Sequence, residues 1–403
     1  DWLVLVVLGG GAQAVGITTG LQFLPFLLVA PFGGLLADKF PKRQLLIFTN
    51  AFLGAVGVTL GVLVLTDLAQ IWHVYVLAFL LGVGAALDNP ARTSYVSELV
   101  GPEDLTNAVA LNSASFNAAR LIGPGLAGVL IAVIGTGWVF VLNGLSFISP
   151  IIALIMMRGV VERVPDRRED VGALARLREG VGYVRSRPDI VMVLVILFGL
   201  GTFGMNFQMT MALMATETYG KGPGEYGILG SIMAIGTLSG ALFAARRRVP
   251  RRRSIVVGTV VFGVLEVLSG LTPTYLLFAV SLIPVGVAAM TVMTAANAYV
   301  QTTAPEHVRG RVMALYIMVF MGGTPFGAPI IGWVAELLGA RWSLLGGGAL
   351  TIATALLAVV VWAPRSGIIV KPKLRPRPGL AVVVAAPTDQ TTQPTSRPAV
   401  QAA

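Results

Sequence analysis

Four ionisable residues interrupt long apolar stretches of this 403-residue chain: Asp1, Asp88, Arg120 and Glu266. In hydrocarbon such a group costs on the order of several kcal/mol unless it is paired or hydrated, so each is a candidate for function. Asp1 precedes the Gly9-Gly10-Gly11 break by about ten residues, and Arg120 lies about 18 Å along its stretch at about 1.5 Å per residue. Both are expected near the middle of a membrane. A carboxyl group there can take up and release a proton, because its surroundings disfavour the charged form. Asp1 is the first candidate for proton carrier, and Glu266, in the outer half of its stretch, is the second. Arg120 would bias the titration of Asp1 or hold an anionic group of a substrate. The plainer readings stay open: Arg120 as a partner of helix-end carbonyls, and Asp1 as a residue snorkelling outward.

Enzyme chemistry finds little support. There are no cysteines, hence no thiol nucleophile or cysteine-ligated metal. The two histidines are far apart in sequence, no His/carboxylate cluster has metal-ligand spacing, and no phosphate-binding loop occurs. No metal or cofactor is expected, and energy for any transport would come from an ion gradient.

The elements that position these residues follow from composition. The chain is 55% hydrophobic and 12% charged, about half the charge of a soluble domain. Its apolar runs are continuous rather than alternating and are long enough to cross a bilayer, which calls for helices rather than a barrel. Eleven full spans are expected at 15–37, 43–65, 71–91, 106–134, 138–158, 190–214, 225–245, 254–272, 275–299, 312–336 and 342–363. Asp1-Trp2-Leu3-Val4-Leu5-Val6-Val7-Leu8 is too short to span, so Asp1 is expected to fall partway through a first helix, making twelve. Of the 29 Lys and Arg residues, only Lys221 and Arg341 occupy the opposite loops and Arg120 lies within a span. The positive-inside rule therefore places the basic loops and both termini of the intact protein in the cytoplasm. A net charge of +10 distributed in this way points to a lipid surface and not to nucleic acid.

The expected organisation is a first bundle over 1–158, a cytoplasmic linker over 159–189, a second bundle over 190–363 and a disordered tail over 364–403. In the linker, Leu174, Leu177, Val181 and Val184 form an apolar stripe beside several arginines, as an interfacial helix would, although a plain solvated linker is also compatible. The halves repeat. Tyr95-Val96 recurs as Tyr299-Val300, Pro102-Glu103 as Pro305-Glu306 and Ala110-Leu111 as Ala314-Leu315, at offsets of 204, 203 and 204. Such a period fits two parallel halves related by an axis along the membrane normal.

The loop Gly34-Leu35-Leu36-Ala37-Asp38-Lys39-Phe40-Pro41-Lys42-Arg43 resembles the G-x-L-A-D-x-x-G-R-[KR] loop of the major facilitator superfamily, with Pro41 in place of glycine. Asp88-Asn89-Pro90-Ala91-Arg92, Tyr95 to Val100, Asn107, Ala110 to Ser113, Phe116-Asn117 and Arg120 narrow the likeness to exporters similar to enterobactin-exporter-like and macrolide-efflux-like proteins. Gly123-Pro124-Gly125-Leu126-Ala127-Gly128 resembles the G-x-x-x-G-P-x-x-G-G element of proton-driven exporters, with Ala119 and Ala127 standing for two of its glycines. The resemblance implies an all-α, twelve-helix fold of two pseudo-symmetric six-helix bundles, working as a monomer in the inner membrane. It implies proton-coupled antiport of a drug, macrolide or siderophore-like small molecule by alternating access.

In that frame Gly34, Asp38, Lys42, Arg43, Asp88, Arg92 and Glu98 would form a latch at the cytoplasmic side, with Lys42 or Arg43 reaching a carboxylate such as Glu98. Simple anchoring by positive charge is the alternative. Gly123, Pro124 and Gly128 would form a kink that seals the cavity. Gln22, Asn112 and Asn117 are the candidate substrate contacts. An uptake permease for a small metabolite and a non-transporting receptor or scaffold are the competing functions.

Overall fold

The computed structural model describes residues 1–29, 41–100, 103–157, 173–245, 252–362, 368–373 and 379–384. After a π-helical turn over Leu3–Val7, the first half continues as α1 (Gly11–Leu28), α2 (Lys42–Leu65), α3 (Ile71–Leu99), α4 (Leu105–Ile134), α5 (Thr136–Ser146) and α6 (Ile148–Met156). The linker carries α7 (Ala173–Arg185). The second half comprises α8 (Pro188–Gly199), α9 (Phe207–Leu213), α10 (Pro223–Ala245), α11 (Arg252–Gly270), α12 (Tyr275–Thr303), α13 (Glu306–Gly322), α14 (Thr324–Leu338) and α15 (Ala340–Trp362). Among the described residues there are 11 stretches long and apolar enough to cross a membrane, the number expected. The pairs α5/α6, α8/α9 and α13/α14 each act as one span.

Local chemistry sets the boundaries. Gln70 and His73 form a reciprocal capping box at the start of α3. Thr274 caps α12 by accepting from the Leu277 N–H at 3.4 Å, and Pro188 occupies the first turn of α8. Span one begins at Gly11 and not at residue 15, directly after the left-handed turn at Gly9 and Gly11 (φ +61° and +69°).

The internal repeat is visible in the backbone. α3 and α12 are both 29 residues long, and their first residues differ by 204. Tight turns at Gly135 (φ 83°, ψ 160°) and Gly339 (φ 96°, ψ 159°) are again 204 residues apart and join the last two spans of each half. Both glycines adopt a conformation that side chains resist.

The main apolar core belongs to the second half. There α8 and α9 run through the centre, with Ile190, Met192, Val193, Leu197, Met209 and Leu213 essentially inaccessible. Between them the chain makes a π turn over Leu200–Gly204 and breaks at Met205 and Asn206.

The linker helix forms as expected, but it docks on α13 as well. Glu179 pairs with Arg311, and a Cβ at Gly180 would lie 3.2 Å from that of Arg311. The side chains of Leu174 and Leu177 lie outside the described residues. Arg187 then grips Asp189 at 3.0 and 2.9 Å, and Tyr299 donates to the same carboxylate at 2.7 Å. The shared carboxylate ties the end of the linker to α12. The expectation of a wholly disordered tail is corrected: β1 (Ile368–Lys373) and β2 (Gly379–Val384) pair as an antiparallel hairpin with Ile368 opposite Val384. β-Branched residues in both segments favour extended pairing over coil.

Candidate functional site

The two halves meet chiefly at two helix crossings, and α1 also touches α13, where Leu27 approaches Gly322. α1 crosses α14 and α4 crosses α10. Small residues make each crossing possible. A Cβ at Gly332 of α14 would sit 2.6 Å from the Ala12 carbonyl oxygen and 3.1 Å from the Gly16 Cα. A Cβ at Gly128 of α4 would sit 2.5 Å from the Pro223 carbonyl oxygen and 3.1 Å from the Gly227 Cα. On the facing side, a Cβ at Gly230 would be 2.7 Å from the Pro124 Cβ. The expected kink element thus lies at the seam: Pro124 and Gly128 form the α4 side of the α10 crossing, while nothing approaches Gly123. α4 stays helical through Pro124.

Two further links cross the seam. Glu336 of α14 accepts from the Gln13 backbone N–H at 3.1 Å, satisfying one of the free donors in the first turn of α1. Trp2 stacks on Tyr226 of α10 with ring centroids 6.1 Å apart. Sequence reading had singled out neither Glu336 nor Tyr226. The available signal was an acid close to the end of a span.

Towards the basic end, α4 diverges from α10 and residues 110–116 are exposed. At 3.6 residues per turn, Ser113, Asn117 and Arg120 share the face of Pro124 and Gly128. The face that meets α10 at Pro124 and Gly128 thus carries polar side chains beyond the crossing. Arg120 is exposed there and makes no ion pair among the described residues. Asn117 donates to its own helix, at the Ser113 carbonyl, 2.8 Å. Asp1 accepts a 3.4 Å hydrogen bond from Thr19 of α1, next to the stacked Trp2, and is not paired with Arg120. Gln22 sits on the side of α1 away from the α14 crossing, its carbonyl against Gly82 of α3. Asn112 is exposed on another face of α4. The structure thus places Asn117 and Arg120 on one face of α4 and Asn112 on another, and it buries Glu266 inside the second half at 1% exposure.

At the basic end, Gly34 and Asp38 lie outside the described residues, as does the side chain of Glu98. Of the remaining latch candidates, Asp88 and Arg92 belong to one network. Asp88, 6% exposed, accepts from Thr49 at 2.8 Å, from Asn50 at 3.1 Å and from Arg92 at 2.8 Å. Four groups are satisfied there at once, tying α2 to α3. Arg43 takes partners other than a carboxylate: its guanidinium donates to the Leu154 and Ile155 carbonyls at 2.7 and 2.8 Å. These are free carbonyls of the last turn of α6, where a cation also meets the negative end of the helix dipole. Lys42 is engaged as well.

Two pseudo-equivalent helical halves, joined through glycine-rich crossings and built of spans long and apolar enough to cross a bilayer, have the architecture of a membrane transporter. Residues 2–385 match the transmembrane secretion effector family, and the chain belongs to that family within the major facilitator superfamily. It is similar to the multidrug efflux pump Tap of Mycolicibacterium fortuitum, with 29% identity over 377 residues covering 90% of each chain. It is also similar to the enterobactin exporter EntS of Shigella boydii serotype 4, with 25% identity covering 89% of this chain and 84% of that one. The crystal structure of a bacterial homologue of the human lysosomal transporter Spinster, inward-facing and occupied, has the same fold. Its TM-score is 0.69 at 16% identity, with 90% of this chain and 91% of that one covered.

Proposed function

We propose that the protein exports an amphipathic small molecule, of the drug, macrolide or siderophore kind, from the cytoplasm in exchange for protons. The observation that carries this reading is the continuous face of α4, on which Arg120 and Asn117 lie beyond the Pro124–Gly128 crossing. With the basic loops cytoplasmic, this arrangement would be inward-facing, and substrate would enter between the halves from inside. Rocking of the halves would part the α1/α14 and α4/α10 crossings and close the basic end, where Asp38 serves as the latch beside an Asp88–Arg92 network that braces the first half. Asp1, at the seam beside Thr19 and Trp2, carries the proton, and Arg120 is the charge in the cleft that senses it or holds an anionic substrate group. The exporter names of Tap and EntS support the direction.

The test is accumulation of a panel of drugs, macrolides and siderophores in cells with and without the gene. Cells carrying it should retain less of at least one compound, and an uncoupler should erase the difference. Greater accumulation in carrying cells would instead identify uptake.

A further inference from the structure

Away from the cleft, three buried polar atoms lack a hydrogen-bond partner: Glu266 Oε2, Thr351 Oγ1 and Asn206 Oδ1. All three residues belong to the second half and are at most 4% exposed. Chance scatter does not explain them, because all border the break in the central span. Glu266 Oε1 and the Phe203 carbonyl oxygen lie 3.3 and 2.7 Å from the point that a Cβ on Gly347 would occupy. One turn along α15, Thr351 Oγ1 lies 3.0 Å from the corresponding point on Gly204. Glycine at both positions lets these oxygens approach the π turn closely, beside the ring of Phe262.

The individual side chains point the same way. Buried threonines in helices usually donate to the carbonyl one turn back, as Thr18 and Thr259 do here at 2.8 and 2.9 Å. Thr351 does not. Asn206 gives its amide N–H groups to the Thr202 and Phe203 carbonyls at 2.8 and 3.3 Å, which fixes its Oδ1 as the free end. No described Lys, Arg or His pairs with Glu266. Arg341, about one turn further out, donates to the Gly270 carbonyl at 3.1 Å. A buried carboxylate with unpaired oxygens around it calls for a positive partner.

We propose that Glu266, Thr351, Asn206 and the Phe203 carbonyl bind a small monovalent cation, sodium, at the break of the central span, independently of what the cleft carries. The donor set is all oxygen, as hard cations require, and contains a single carboxylate, so a single positive charge neutralises it. Broken transmembrane helices supply such sites because their unwound carbonyls are free to coordinate. Bound there, the ion would clamp α8/α9 to α11 and α15.

Purified protein, without substrate, is melted in sodium chloride and in potassium or choline chloride at equal ionic strength, and binding of radioactive sodium is counted. Sodium should raise the melting temperature saturably by about a few degrees and should bind at one ion per chain. Glu266→Gln, which keeps the shape of the side chain, should abolish both effects, and Thr351→Val should weaken sodium about tenfold. Identical melting of the wild type in sodium and choline overturns the site, as does a sodium effect that survives in both variants. Failure here would leave the export reading standing, and failure of export would leave sodium binding intact.

Discussion

Enlarging the glycines at the two crossings should open the far gate. In Gly128→Ala, the new Cβ would stand 2.5 Å from the Pro223 carbonyl oxygen, and ordinary contact of about 3.4 Å requires the helices to part by roughly 0.9 Å. Those atoms are backbone, so no rotamer change relieves the clash. Overpacking of this kind costs about 1–3 kcal/mol, and it applies only while the halves touch at this end. Once the gate parts, alanine is as comfortable as glycine, or more so, in a helix. The closed-gate population should therefore fall by about 5- to 150-fold relative to the open one. Gly332→Ala makes the same test at the other crossing, and because the halves move together the double variant should shift further than either single one.

The chain has no native cysteine, so a cysteine replacing Asn117 can be labelled without background by an impermeant maleimide. In right-side-out vesicles its labelling rate should rise with each substitution. An unchanged rate in a protein that still folds would mean that these crossings do not form the gate.

Asp88→Ala strips one acceptor from Thr49, Asn50 and Arg92 together. It should destabilise the first half by about 1–3 kcal/mol, read as a lowered melting temperature, while Asp88→Asn should fall in between. Arg43→Ala, which uncovers two carbonyls at the end of α6, should cost about 1–3 kcal/mol by the same assay, and Arg43→Lys should recover part of it. Asp1→Asn in the intact protein should stop gradient-driven efflux yet spare substrate binding, measured by export assays and ligand titration; undiminished efflux would remove Asp1 from the proton path.

Much of this fold could be read from residues alone, because lipid simplifies the problem. Each span must satisfy its own backbone, so continuous apolar runs translate almost directly into helices. The position of the Pro124 element follows from counting along α4. What the halves do to each other could not be counted. Gly128 reads as a small residue in either orientation, and only the crossing shows that it meets Pro223 and Gly227. Arg43 was expected to seek a carboxylate, but the nearest unsatisfied acceptors were the carbonyls closing α6, and helix ends do not appear in a charge count. Gln22 and Asn112 were chosen for polarity without knowledge of facing, and facing separates Asn112 from Asn117. The tail was judged on its Pro, Thr and Gln content, which averages over the short β-branched segments that pair.

The contacts at the two ends of the molecule rest on different physics, and this difference shapes how the protein can switch. At the far end the halves meet through backbone against backbone, at Gly16 with Gly332 and at Gly128 with Gly227. Dispersion between such surfaces is lost steeply, a gap of about 0.5–1 Å already forfeiting a quarter to a half of it. A half-parted crossing keeps little attraction and admits no compensating water, so the gate is either seated or open. The Asp88 network and the Arg43 cap at the basic end lie wholly within the first half. They hold α2, α3 and α6 together whichever way the halves tilt. A body that stays rigid on one side of a seam, with contact surfaces that fail abruptly, moves as a unit. Binding in the cleft then needs to shift only the small balance between seated and parted crossings in order to turn the transporter over.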